Sequence, residues 1–257
     1  MAEDKIYTAC IIDTETGGLD PATCAITQVS AKMIRLDTLE SLGTFDMYVK
    51  PYNKKDDWQS KEKKKVLKTK RQIEQEEVEA KQFEYNPRAL EVTGITMDKL
   101  RLEGEDIKVV AESFANFVTS HQIGSTRNYK PYFVGQNPIF DWGFLQHLFI
   151  NAGCEDKLYT LFQGNKDVRG MFVPSLTDTI LLARMALSQD PTITTYKLEN
   201  ICQLLKIELV DAHSSMADVE ATCGVFSVLA SRMKSMAEID PTAFIETEEK
   251  FRAHFKI

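Results

Sequence analysis

Two carboxylates close the first apolar run of the chain. The stretch from Tyr7 to Ile12 is apolar and β-branched, which is the composition of a buried strand, and it is followed by Asp13, Thr14 and Glu15. Because side chains alternate between the two faces of a strand, Asp13 and Glu15 point the same way. Their charges repel each other unless a cation lies between them. One hypothesis is therefore a divalent metal site, and the alternative is an ordinary solvated strand end.

Two glycines follow this acidic pair. Gly17 and Gly18 are expected to end the strand. Since glycine has no Cβ, the chain here could approach a ligand closely, as a site for a phosphate or a nucleotide terminus requires.

Further acidic residues and a histidine stand at predicted helix starts. Asp141 lies in the first turn of a helix that opens at Pro138, where a carboxylate also interacts favourably with the helix dipole. Asp218 follows Ser215 at the spacing of a capping box, so it could simply cap its own helix. His213 precedes the same helix, and its imidazole, with a pKa of about 6.5 in water, is a candidate general base. Taken singly, each of these residues also has an ordinary structural explanation.

The elements that must position these residues predict an α/β fold. Strands are expected at residues 25–36, 43–50 and 132–135, and the short connection between the first two favours an antiparallel meander. Helices are expected where apolar residues recur at helical spacing. These segments are residues 105–119, 177–187, 197–207 and 217–233. Another helix is expected to begin at Pro138, with Asn137 at its N-cap position. Together they predict a mixed β-sheet flanked by helices.

The chain of 257 residues is long enough for one large domain with appendages. We expect the domain at residues 1–234 and a helical appendage at 235–257. Residues 53–84 are rich in lysine, then in glutamate, and poor in apolar positions. This segment is expected to be a charged helical insertion, which is either a solvated helix or an arm whose basic half touches a phosphate backbone.

Composition excludes several classes of protein. No apolar run reaches the roughly 18 residues that span a bilayer, and the start of the chain lacks the order of a secretory signal, so we expect a cytoplasmic protein with no membrane partner. The five cysteines are scattered and predict free thiols. A net charge of −7 argues against a broad basic face that coats duplex DNA. It leaves open an enzyme that acts on one chain end.

Taken together, the motifs resemble those of the DEDDh family of 3′-to-5′ exonucleases, which includes polymerase proofreading subunits and ribonuclease T. The matching segments are Asp13 to Leu19, Gly135 to Asp141, Tyr196 to Cys202 and Asp211 to Asp218. The sequence departs from the family at Gly17, where a second threonine is usual, and residues 53–84 are not part of the family pattern.

The resemblance implies a ribonuclease-H-like fold and a two-metal mechanism that releases nucleoside 5′-monophosphates from single-stranded 3′ ends. By the same resemblance, Asp13 bridges two Mg²⁺ ions, for which Mn²⁺ can substitute, Glu15 and Asp218 bind the ion that activates water, and Asp141 completes the shell of the second ion. His213 is the implied general base. The implied substrate-binding residues are Thr14, Thr16, Gly17, Leu19 and Asn137. For Leu19, a wedge beside the last bases and an ordinary core leucine remain open.

Several alternatives remain at this point. The sequence does not separate DNA from RNA, because discrimination rests on contacts to the 2′-hydroxyl; overall resemblance favours DNA, in proofreading or repair with a polymerase or repair partner. The alternatives are an exoribonuclease that trims RNA 3′ ends and a noncatalytic nucleic-acid-binding module.

Overall fold

A computed structural model gives the fold of part of the chain. The described residues are 6–54, 82–123, 129–188, 190–209 and 214–239. Most of the segment predicted as a charged insertion lies outside these ranges, and so do the candidate base His213 and the residues after 239.

A five-stranded mixed sheet forms the centre of the fold. Its strands are β1 (Thr8–Thr16), β2 (Ile26–Arg35), β3 (Ser41–Tyr48), β4 (Tyr132–Gly135) and β7 (Leu176–Asp178), in the order β3-β2-β1-β4-β7. The first three strands pair antiparallel, whereas β4 runs parallel to β1 and β7 runs parallel to β4. This confirms the expected fold class and the three predicted strands.

The chain between β4 and β7 contains elements that the sequence did not predict. A small antiparallel hairpin is formed by β5 (Gly164–Lys166) and β6 (Phe172–Pro174), and β7 follows it directly. Each of these strands has three residues, which is too short for an alternating pattern to stand out.

The described residues form eight helices. They are α1 (Pro87–Thr93), α2 (Met97–Glu103), α3 (Ile107–Ser120), α4 (Pro138–Ala152), α5 (Glu155–Leu161), α6 (Thr179–Ala186), α7 (Leu198–Leu205) and α8 (Ser215–Ile239). The helices predicted from apolar spacing are all present, with ends that differ by a few residues. Helix α8 continues through residue 234, where we expected the domain to end. Within the described ranges, none of these helices is both long and apolar enough to cross a membrane.

Strand β1 is buried on both faces. Cys10 and Ile12 pack into a core shared with α3 and α4, whereas Ala9 and Ile11 pack against α8 on the other face. A strand that is covered on both faces consists of consecutive apolar residues, which explains the composition before Asp13. The carboxyl end of β1 therefore meets α4 on one side of the sheet and α8 on the other.

Asn137 occupies the N-cap position of α4 but does not act as predicted. Its backbone is left-handed, with φ 62° and ψ 54°, and its side chain makes no capping hydrogen bond. A capping side chain acts from extended backbone, so this conformation explains the difference. Instead, the Asn137 amide donates a 3.2 Å hydrogen bond to Asp178 Oδ1, which ties the start of α4 to the end of β7.

Candidate active site

Three carboxylates converge at the end of β1. Asp13, Glu15 and Asp218 each offer an oxygen, and these three oxygens lie within 4.8 Å of one another. Asp13 and Glu15 come from the strand, and Asp218 comes from the first turn of α8. The structure thus brings together two motifs that are far apart in the sequence.

Ser215 holds the start of α8 against the strand. Its buried hydroxyl donates a 2.9 Å hydrogen bond to the main-chain oxygen of Asp13, and α8 packs on β1 and β2. The sequence had indicated Ser215 only as the first residue of a capping box. Its contact with β1 is a positioning role that the capping pattern does not reveal.

Asp141 reaches the same strand end from the other face of the sheet. It lies in the first turn of α4, is 3% exposed, and accepts a 2.8 Å hydrogen bond from the Thr14 hydroxyl. Asp141 is not one of the three carboxylates within 4.8 Å. Its charge nevertheless raises the pKa of both Asp13 and Glu15. Four acidic groups therefore share one electrostatic environment, three close together and one across the sheet.

The pairing of β1 with β2 is irregular next to Asp13 and Glu15. The register between β1 and β2 shifts between Glu15 and Thr16, which is the signature of a β-bulge. Such bulges bend a strand and re-aim its side chains next to active sites. The regular pairing of β1 with β2 therefore extends through Glu15 and is broken only after it, where Thr27 of β2 has no partner in β1.

Burial raises the pKa of three of these carboxylates, and repulsion between charges adds to the rise at Asp13 and Glu15. Loss of hydration, then the charges of Asp141, Glu15 and Asp218, raise the pKa of Asp13 well above its ordinary value, and a hydrogen bond from Ser215 opposes the rise. Burial, then the charges of Asp218 and Asp141, raise the pKa of Glu15 to about 7. Burial raises the pKa of Asp141 to about 7, against the hydrogen bond from Thr14.

The donor set fits hard divalent cations. Mg²⁺ and Mn²⁺ favour carboxylate oxygens, and three such oxygens face one another here. Within the described part of the chain, no lysine or arginine pairs with Asp13, Glu15 or Asp141. Among the described residues, these three carboxylates therefore have no basic partner, an arrangement that favours the binding of a metal ion.

Leu19 projects from the turn that follows β1. It is 86% exposed, so the alternative of a core leucine is excluded. Ile139, in the first turn of α4, is also exposed, at 63%. The sequence did not single out Ile139, because one apolar residue in a largely apolar helix carries no signal. By contrast, Trp142 and Phe144 of the same helix are buried in the core.

Gly17 and Gly18 are approached closely by the protein's own chain. A Cβ on Gly17 would collide with the main-chain oxygen of Glu84, and one on Gly18 would collide with the Cys24 sulfur. The Asn86 amide donates a 2.8 Å hydrogen bond to Gly17 O. Gly17 therefore lets residues 84–86 pack beside the strand end, and Gly18 makes room for Cys24, whereas the sequence had indicated close approach of a ligand.

Thr16 is likewise engaged inside the turn. Its hydroxyl donates a 2.6 Å hydrogen bond to Gly18 O, and its side chain is buried. Any contact from Thr16 to a nucleotide would therefore come from its main chain. The family resemblance likewise implies that the main chain around Thr14 and Thr16 contacts the terminal sugar.

The junction between β7 and α6 holds the loop before α4. Asp178 Oδ1 accepts hydrogen bonds from the amides of Asn137 and Ile180, at 3.2 and 2.9 Å. The next side chain, Thr179, donates a 2.6 Å hydrogen bond to Gln136 Oε1. Sequence reasoning missed both residues, although an aspartate followed by a helical pattern is a recognisable N-cap.

Comparisons with known proteins agree with this geometry. A profile of the RNase_T family, described as exonuclease, matches residues 63–226, a range that includes Asp141 and Asp218 and begins after the first motif. A PolC-type DNA polymerase III of Bacillus cereus is 29% identical over 133 residues, which are 52% of this chain and 7% of that polymerase.

Solved structures of E. coli exonuclease I share the fold. The complex with a dT13 oligonucleotide has a TM-score of 0.60 and 22% identity, over 91% of this chain and 43% of that one. The zinc-bound form of the complex with single-stranded DNA has the same TM-score and identity, over 91% of this chain and 42% of that one. The chain therefore spans less than half the length of each of these relatives.

Proposed function

Because the chain belongs to the RNase_T exonuclease family, we propose that it is a metal-dependent 3′-to-5′ exonuclease that removes nucleotides from single-stranded 3′ ends. The observation that carries this proposal is the convergence of Asp13, Glu15 and Asp218 within 4.8 Å. A noncatalytic module has no need to keep three mutually repelling carboxylates together, since their repulsion destabilises the fold.

The four acidic residues would hold the metal ions of this reaction, two Mg²⁺. Asp13, Glu15 and Asp218, whose oxygens face one another, would bind one ion, and Asp13 with Asp141 would hold the second, directly or through water. When bound, such ions neutralise charge on the scissile phosphate, lower the pKa of the attacking water and stabilise the departing 3′ oxygen. Mn²⁺, which takes the same oxygen ligands, substitutes for Mg²⁺.

Other residues of the chain orient the carboxylates and the substrate. Thr14 and Ser215 hold Asp141 and the Asp13 backbone in place through their hydroxyl groups. The exposed side chain of Leu19 packs against the last base, and the main chain around Thr14, Thr16 and Gly17 contacts the terminal sugar. Asn137, whose side chain does not cap α4, is free to contact the terminal nucleotide.

His213 is assigned the role of general base. The assignment rests on the resemblance of its motif, since the residue lies outside the described ranges. A neutral imidazole accepts the proton of the attacking water, and the expected loss on removing a general base is about 10²- to 10⁴-fold in rate. Replacing His213 with alanine should therefore lower kcat and leave metal binding by the carboxylates unchanged.

We propose DNA as the substrate and an RNA-trimming exoribonuclease as the alternative. The solved exonuclease I structures hold DNA oligonucleotides, dT13 and dA16 among them. The partial match to a DNA polymerase supports a role in proofreading or repair beside a polymerase or repair partner. In this proposal, residues 1–234 are the exonuclease domain, and 235–257 are an appendage.

The test is digestion of matched single-stranded DNA and RNA, labelled at the 5′ end, with Mg²⁺ and then with Mn²⁺. We expect a ladder shortened from the 3′ end, release of nucleoside 5′-monophosphates, and no shortening by Asp13→Asn. Glu103→Gln, a change at an exposed acidic residue of α2, is the matched control and should behave as the unaltered protein. Intact DNA and RNA with both metals would contradict the proposal.

A further inference from the structure

A positively charged cleft lies beside the loop that precedes α4. It has a volume of about 420 Å³, and its lining includes Gln136, Arg184, Tyr196 and Lys197. The lining holds two cations and no acidic side chain, although the chain as a whole carries a net charge of −7. This local excess of positive charge is opposite in sign to the neighbouring carboxylate cluster.

The two cations of the cleft are available to a ligand. Arg184 and Lys197 are exposed, and neither forms an ion pair with any residue that the structure describes. The Arg184 guanidinium lies over the Tyr196 ring, 5.4 Å from its centroid. A guanidinium stacked on an aromatic face keeps its N–H groups free around its edge, where they can bind phosphate oxygens in pairs.

The cleft is built on elements that also carry the acidic cluster. Gln136 Nε2 donates a 2.9 Å hydrogen bond to Tyr196 O, so the cleft wall is tied to the residue before Asn137. On the other side, α7 begins directly after Lys197 and packs against α8, which carries Asp218. Both walls of the cleft are therefore connected to elements that carry acidic residues of the cluster, α4 with Asp141 and α8 with Asp218.

A second cleft continues from the first. It has a volume of about 360 Å³ and shares Thr195 with the charged cleft. Its lining includes Thr192, Asn200 and Gln203 and contains no charged side chain. The two clefts therefore meet at Thr195, and the second one is lined by uncharged polar and apolar side chains.

We propose that Arg184 and Lys197 form a subsite for the phosphate backbone of the single strand, upstream of the nucleotide that is removed. This inference rests on the proposed exonuclease function and adds to it a binding site outside the carboxylate cluster. With metal ions bound, the acidic cluster would hold only the scissile phosphate, and its carboxylates would repel the other phosphates. A strand that leaves the cluster toward Gln136 would meet two cations without ion-pair partners among the described residues, and beyond Thr195 an uncharged cleft.

Each residue also has an ordinary explanation, which the experiment must separate from the proposal. Arg184 lies in the last turn of α6, where a cation complements the helix dipole, and Lys197 could be a solvated surface residue. Neither explanation predicts an effect on strand binding. Both residues are exposed, so their replacement is expected to leave the fold intact.

The test is the affinity of Arg184→Ala/Lys197→Ala for a labelled oligothymidylate, measured by fluorescence anisotropy with Ca²⁺ in place of Mg²⁺. Each phosphate contact to a single strand contributes about 0.7 to the slope of log K against log salt. Loss of two contacts should lower that slope by about 1.4 and weaken binding about 25-fold at 0.1 M salt. Arg184→Lys, which keeps the charge and loses the paired geometry, should keep the slope.

Neutral linkages identify the contacted phosphates. In the unaltered protein, a methylphosphonate placed at successive positions should weaken binding where a phosphate meets the cleft. In the double variant the same methylphosphonate should cause no further loss of affinity, because the protein substitutions and the neutral linkage remove the same interaction. Lys108→Ala, on the exposed face of α3 on the other side of the sheet, is the matched control and should not alter the slope.

A substrate with a single phosphate separates this inference from the proposed function. The p-nitrophenyl ester of thymidine 5′-monophosphate occupies only the carboxylate cluster, so the double variant should hydrolyse it as the unaltered protein does. If the unaltered protein cleaves neither the ester nor a strand, the proposed function fails. If it cleaves both, and the double variant binds the long strand with unchanged affinity and slope, the phosphate subsite is overturned.

Discussion

The Thr14 hydroxyl donates a buried 2.8 Å hydrogen bond to Asp141, a residue 127 positions further along the chain. The preceding residue, Asp13, is held from the other face of the sheet by the Ser215 hydroxyl. The end of β1 is thus connected to α4 on one side and to α8 on the other. These two side-chain contacts bring the acidic residues of three separate motifs to one place.

Thr14→Val should lower both the activity and the stability of the protein. Valine keeps the shape of threonine but cannot donate, so Asp141 loses a buried hydrogen bond to a charged acceptor, which contributes about 1.5–3 kcal/mol. If half of that energy positions Asp141, kcat falls by about 3- to 12-fold. Steady-state rates on a labelled DNA strand, together with thermal unfolding, check the prediction. Thr14→Ser keeps the donor and should restore the rate; a Thr14→Val enzyme with normal kcat would mean that this bond does not position the site.

Without metal, the protein should become less stable as the pH rises toward neutrality. The pKa values of Glu15 and Asp141 are raised to about 7 in the folded state and are about 4 in the unfolded chain. Between these values the folded state binds more protons, so the free energy of unfolding falls as pH increases. Thermal unfolding in EDTA measures this loss of stability. The pH range is about 4 to 8, because it spans the pKa values of the unfolded and the folded state.

Added Mg²⁺ should reverse that loss at high pH. An ion that binds only the folded state raises the melting temperature by mass action. Glu15→Gln, which removes one of the repelling charges, should raise the metal-free melting temperature above about pH 7, where the carboxylate is ionised in both states, and weaken the response to Mg²⁺. A melting temperature that is independent of pH and of Mg²⁺ in the unaltered protein would show that these carboxylates are not a metal site.

Leu19→Ala should weaken substrate binding without loss of stability. Leu19 is 86% exposed, so its truncation removes no core contact, and surface changes of this kind stay within about 0.5 kcal/mol. If the side chain packs against the last base, losing that burial costs about 1.5–3 kcal/mol, or roughly tenfold or more in KM. Leu102→Ala, at an 84% exposed leucine of α2, is the control and should change neither quantity.

Gly17→Ala should destabilise the fold around the site. The added Cβ would collide with the main-chain oxygen of Glu84, and a main-chain atom cannot move aside as a side chain can. Overpacking of this kind costs about 1–3 kcal/mol. Denaturant unfolding measures the loss, and hydrogen exchange should show faster exchange at the Asn86 amide, which donates to Gly17 O. If Gly17→Ala is as stable as the unaltered protein, the close contact between position 17 and the Glu84 main chain is contradicted.

The limits of local sequence information are visible at two positions. Alternation along an extended chain predicts that Asp13 and Glu15 share a face, but it does not reveal the register shift after Glu15. The order of Asn137 and Pro138 predicts a helix start, which is confirmed as α4. The left-handed backbone of Asn137 was not predicted, because it is held by Asp178, a residue of another strand.

The sequence by itself determined the long elements of the fold and the identities of the acidic residues, because periodicity and motif spacing are properties of neighbouring residues. Only the tertiary structure decided which of those residues meet: Asp218 joins Asp13 and Glu15, whereas Asp141 lies across the strand beside Thr14. It also decided that Arg184 and Lys197 share one cleft. The physical reason is that sheet order and helix packing are set by contacts between segments more than a hundred residues apart, such as the bond from Ser215 to Asp13, which spans 202 positions.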